Sequence, residues 1–74
     1  MKFYVAEYRI TDGADDYAEY GVLASRKVEA ALRRAETGRR FFNHYGWVEA
    51  CRFKRIQEIP EAEYKILKKY FIKI

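Results

Sequence analysis

The 74-residue sequence predicts an α+β fold: a three-stranded antiparallel sheet in the order 2-1-3, one helix across it and a short C-terminal helix, ββαβα in a single domain spanning 1–74. Three observations carry this expectation. Two alternating runs flank an Asp-Gly turn signal near the N-terminus. Apolar residues recur at helical spacing from Val28. Near the C-terminus, a proline precedes glutamates and then lysines, in the order that complements a helix dipole.

Residues 2–10 read as the first strand, with Tyr4, Ala6, Tyr8 and Ile10 as its core face. Thr11-Asp12-Gly13 signals a turn, and residues 12–16 form a polar hairpin tip. Residues 17–24 read as the second strand. Ala18, Tyr20, Val22 and Ala24 share one face, and Phe3, Val5, Tyr17 and Leu23 are expected on the side away from the first helix. Ser25 is suited to cap that helix. Val28, Ala31, Leu32, Ala35 and Phe42 give it an apolar side, and that phase predicts continuation to about Asn43.

Residues 43–46 read as the helix exit and 47–58 as the third strand. Its apolar side is inconsistent, so a bulge or bend is expected near Lys54-Arg55. Pro60 suits the first turn of the second helix, whose apolar side is expected to be Ile66, Leu67, Tyr70, Phe71 and Ile74.

A chain this short buries only about 60% of its unfolded surface. Its single cysteine, Cys51, rules out an intrachain disulfide, and one Cys with one His cannot close a common zinc site. Stability must therefore come from apolar burial, for which the 50% hydrophobic and 18% aromatic content is ample. No run is long enough to span a membrane and no secretory h-region follows Lys2, so a reducing cytoplasm is expected. The net charge of +4 is uneven. Residues 1–25 hold two basic and five acidic groups, a net of −3, and residues 26–74 hold thirteen and six, a net of +7. Such a basic body suits a polyanionic partner, and equally serves solubility.

Asp12, Asp15, Asp16 and Glu19 lack calcium-loop spacing, because Gly13 directly follows the first aspartate; they read as a solvated turn. His44 and Cys51 form the one nucleophile–base combination, with no third group to orient it. The expectation is therefore no catalytic residue, no metal site and no cofactor.

Binding candidates are more numerous. Arg26, Arg33 and Arg40 recur every seven residues and would line one side of a continuous first helix, flanked by Lys27 and Arg34. Glu29 and Glu36, each four residues before an arginine of that row, offer the plainer reading of a solvated face. Arg39 falls on the apolar side of a helix that continues past Gly38, or marks that the helix has ended there. The stretch from Arg39 to Trp47 is rich in aromatic and basic residues, a composition shared by interfaces and single-strand binding grooves. Within it Phe42 and Trp47 are expected in the core, and Phe41 and Tyr45 at a contact surface.

With the element order in hand, KFYVAEYRI, YGVLASRKVEAALRRA and IQEIPEAEYKILKKYF resemble small ββαβα proteins of bacteria, phages and mobile elements. Some phage proteins of this style are anti-defence factors, anti-CRISPR proteins among them, which bind a nuclease or its surveillance complex without chemistry of their own. The resemblance implies a non-catalytic inhibitor acting by stoichiometric binding to a host protein or nucleoprotein complex. The basic charge departs from those anti-CRISPR proteins that mimic nucleic acid with acidic surfaces. The alternative is a small basic module that binds DNA or RNA through Arg26, Arg33, Arg34 and Arg40. A second copy of the chain is a further partner option through an uncovered sheet face or edge.

Overall fold

The computed structural model describes residues 1–42 and 50–74. The fold is α+β, with strands β1 (Lys2–Asp12), β2 (Asp15–Ser25), β3 (Ala50–Ile59) and β4 (Ile72–Lys73) and helices α1 (Val28–Thr37) and α2 (Glu61–Leu67). The expected order β2-β1-β3 is present, but the sheet is mixed and four-stranded: β4 adds in parallel to β2, giving β3-β1-β2-β4. The expected exit at residues 43–46 and the start of the third strand at 47–49 lie outside the described residues.

The hairpin turn is only Gly13-Ala14. Gly13 takes φ 63, and among the described residues no non-glycine residue has positive φ, a combination that fits a type II′ hairpin turn. This turn fixes the register Tyr4↔Leu23, Ala6↔Gly21, Tyr8↔Glu19 and Ile10↔Tyr17. Even positions of β1 therefore share a face with odd positions of β2. The expected faces of β2 are reversed, since a one-residue change of register moves every side chain to the other side. Leu23 joins Tyr4, Ala6, Tyr8 and Ile10 under α1, whereas Val22 and Tyr20 face the other way.

Ser25 is not the helix cap. Pairing with Lys2 keeps it in β2, and its hydroxyl donates to the Lys27 carbonyl at 3.1 Å. Arg26 and Lys27 form a bend before the helix starts at Val28. Ala31 and Ala35 are fully buried, and their small side chains bring α1 close to the sheet. Val28 and Leu32, expected in the core, flank this contact and are exposed. The α-helix ends at Thr37, and Gly38–Phe42 continues as a 3-10 helix. Phe42 is buried as expected, its ring 4.7 Å from that of Tyr8. The Tyr8 hydroxyl donates to the Ala35 carbonyl.

In β3 the larger apolar residues fall at 51, 53, 56 and 59, a spacing no regular strand can bury on one face. The expected bulge resolves it. Glu7 pairs Arg55 and Tyr8 pairs Phe53, leaving Lys54 unmatched. Cys51, Phe53 and Ile56 then meet the α1-side core, and Ile59 reaches the opposite face.

On that opposite face α2 builds a second core, in which Val22, Ile59 and Tyr64 are buried with Phe3, Val5, Ala24, Leu67 and Phe71 around them. Phe3 and Val5 are thus covered by the second helix, one of the two options for that face. Pro60 precedes α2 in an extended conformation and caps it without entering its first turn. The expected apolar side of α2 needs correction: Tyr64 is buried, whereas Ile66 and Tyr70 are exposed. The helix stops at Leu67 because the chain then turns back to the sheet edge, where Ile74 donates its N–H to the Val22 carbonyl at 2.8 Å.

Ile74 lies over two glycines. A Cβ on Gly21 would collide with the Ile74 side chain, and one on Gly38 would lie 2.7 Å from the Tyr8 hydroxyl and 3.0 Å from Ile74 Cγ2. Gly21→Ala is expected to destabilise the protein by about 1–3 kcal/mol, the usual cost of overpacking a core, read as a lowered urea midpoint. Burial raises the Tyr8 phenol well above its usual value, with Cys51 adding a smaller push. The folded state thus holds this proton more tightly than the unfolded chain. Its contribution is intact below pH ~10 and declines as pH rises further. Tyr8→Phe should flatten the fall of melting temperature with pH above ~10, while losing about 1 kcal/mol at neutral pH with the hydrogen bond.

Candidate functional site

The arginines expected to line a continuous first helix do not share one α-helix. Arg26 precedes α1, Arg33 lies within it and Arg40 belongs to the 3-10 helix. A seven-residue repeat keeps one side only while 3.6 residues make a turn. All three are exposed. Arg34 is engaged internally: its guanidinium nitrogens donate to the backbone oxygens of Ala24 at 2.5 Å and Ile74 at 2.6 Å. It ties α1 to the end of β2 and to the C-terminal segment. The Arg40 guanidinium lies 5.3 Å from the Phe41 ring centroid, within cation–π range. Phe41 is 37% exposed. Tyr45 and His44 lie outside the described residues.

The structure gathers a different set of cations. On the α2 side of the sheet, Arg9 of the central strand β1 lies directly opposite Arg52 of β3. Like charges in that position destabilise a strand pair by some tenths of a kcal/mol to about 1 kcal/mol. Two residues along, Glu7 pairs Arg55 and bonds it at 2.9 Å, so that cross-strand pair is neutralised. Arg9 has partial compensation from Asp16 at 3.3 Å. Among the described residues no carboxylate lies within 4.0 Å of the Arg52 guanidinium.

Arg9 and Arg52 line a cleft of about 260 Å³ together with Asp16, Phe53 and Lys54. Arg52 and Phe53 also line a cleft of about 500 Å³, on the far side of which stand Glu36, Thr37 and Arg39. Arg9, Arg52 and Lys54 thus share one cleft, and Arg39 shares the other with Arg52. Charges on an exposed edge strand commonly guard it against pairing with other chains. That accounts for Lys54 and Arg55. It does not account for Arg9, which sits on a strand paired on both sides. An anion between Arg9 and Arg52 would turn their repulsion into two charge-assisted hydrogen bonds.

This cluster was missed from sequence because its members are 43 positions apart, Arg9 to Arg52, and meet only through the β1–β3 register. Strand alternation already marks Arg9 as outward. Pairing it with Arg52 requires knowing on which side of residue 52 the bulge falls.

The remaining chemistry is sparse. Cys51 is buried, and burial pushes its thiol up, with Arg39 pulling weakly the other way. Such a thiol is a poor nucleophile at neutral pH. Among the described residues no three His, Cys, Asp or Glu side chains converge as a metal would require, and no helix is long and apolar enough to cross a membrane. Compared with protein-family models, curated proteins and solved structures, the chain matches none. Cys51 should react with a thiol reagent at least about tenfold more slowly in the native protein than in denaturant, following its burial and low thiolate fraction.

Proposed function

We propose that this chain is a non-catalytic binding protein whose partner presents phosphates: a nucleic acid, alone or within a nucleoprotein complex. The observation that carries the reading is the opposed pair Arg9 and Arg52, with Lys54 lining the same cleft. A phosphate is the right complement, because guanidinium groups bind its oxygens with paired, charge-assisted hydrogen bonds. The chain's positive balance, +7 across residues 26–74 from thirteen basic and six acidic groups, adds long-range attraction. The burial of Cys51, which pushes its thiol up, supports a role without covalent chemistry.

The resemblance to phage anti-defence proteins supplies a setting for the same contact. An inhibitor of a host nuclease complex meets phosphates on its guide or target strand. A pull-down from host lysate that recovers no defence component argues against that setting, and leaves phosphate binding to be judged separately.

The direct test is fluorescence anisotropy with a labelled oligonucleotide across salt concentration. Affinity should fall steeply with salt, as counterion release requires. Arg52→Ala should lower the magnitude of the log–log salt slope by about 1, the amount expected for one lost phosphate contact. Arg33→Ala should leave the slope unchanged. A slope insensitive to Arg52 and lowered by Arg33 would return the contact to α1.

A further inference from the structure

We infer that the cleft between α2 and the sheet receives an unpaired nucleobase, which makes the ligand single-stranded. This rests on the phosphate-binding reading above and specifies the nucleic acid. The cleft has a volume of about 430 Å³. That lies within the ~300–1,000 Å³ range of small-ligand sites. Val5, Tyr20, Leu67 and Phe71 give it apolar and aromatic walls, and Gln57 and Glu63 add polar groups.

Three features favour a base. The first is an exposed aromatic surface. Tyr20 and Phe71 stack with ring centroids 5.5 Å apart and planes inclined by 29°, and Tyr20 is 36% exposed. Bases stack on such side chains whatever their identity. The second is hydrogen-bonding capacity. Gln57 carries both a donor and an acceptor, and a glutamate such as Glu63 accepts from an exocyclic amine.

The third is position relative to the arginines. Val5, Glu7 and Arg9 project from the same face of β1, paired with Gln57, Arg55 and Arg52 of β3. The cleft and the arginine pair therefore share one sheet face. Four residues of strand separate Val5 from Arg9, about 13 Å at ~3.3 Å each. A few nucleotides of single strand bridge that distance, with a base in the cleft and a backbone phosphate at Arg9 and Arg52. Glu63 lines the cleft itself, so phosphates are repelled there and attracted at the arginine end. A duplex cannot use the cleft without unpairing a base, which costs a few kcal/mol in systems that flip bases.

The experiment compares a single strand, a duplex and an abasic single strand of equal length by anisotropy, at one low salt concentration. The intact single strand should bind at least about fivefold more tightly than either of the others, consistent with one stacked base. Gln57→Ala changes an exposed side chain and should bring the intact strand toward the abasic value, leaving abasic and duplex binding unchanged. Tyr20→Ala should do the same, with circular dichroism confirming that it folds. Equal affinity for intact and abasic strands overturns the base pocket and leaves the phosphate contact standing. Absence of binding to all three overturns both.

Discussion

The unmatched Lys54 in β3 keeps two cores and a charge cluster in phase. Without the extra residue, the apolar positions on either side of it would face opposite sides of the sheet. With it, Cys51 and Phe53 below the bulge and Ile56 above it all reach the α1-side core. Ile59 turns to the other face and closes the core under α2. The same offset sets Arg52 against Arg9 and Arg55 against Glu7, so one strand carries a neutral cross-strand pair next to a repulsive one. A bulge re-aims side chains at a local loss of ladder hydrogen bonding. Here the loss falls between the edge strand β3 and β1.

The opposite edge solves a different problem. β4 contributes only two residues, too few to hold itself in place by pairing. Ile74 adds a side chain that fits over Gly21 and Gly38, and Arg34 bonds its backbone oxygen. The C-terminal segment thus connects β2, α1 and the 3-10 helix. Arg34, an exposed arginine by sequence, has a structural task that its charge alone does not announce.

Much of this architecture was legible in the sequence, because local chemistry decides it. The alternation of Tyr4, Ala6, Tyr8 and Ile10 marked the core face of β1, and all four are buried. The broken phase of residues 51–56 marked the bulge. What failed was non-local. The faces of β2 depend on whether two or more residues make the turn, and Gly13-Ala14 reversed them. The C-terminal residues continue a helical apolar pattern, yet the edge of β2 captures them as a strand, a tertiary choice that no periodicity encodes. The arginine row failed because seven-residue spacing assumes one continuous α-helix, whereas α1 begins after Arg26 and changes pitch before Arg40. Arg9 and Arg52 were invisible as a pair until the register was known.

The phosphate reading rests on the cross-strand pair of Arg9 on the central strand β1 and Arg52 on the edge strand β3, because edge protection does not account for Arg9. Arginine side-chain NMR tests it most directly. The Nε–Hε resonances of 15N-labelled protein can be followed while a short single-stranded oligonucleotide is added at low salt. The signals of Arg9 and Arg52 should move together and saturate, while those of Arg26 and Arg33 stay in place. Movement confined to Arg26 and Arg33, with Arg9 and Arg52 unmoved, would contradict the account.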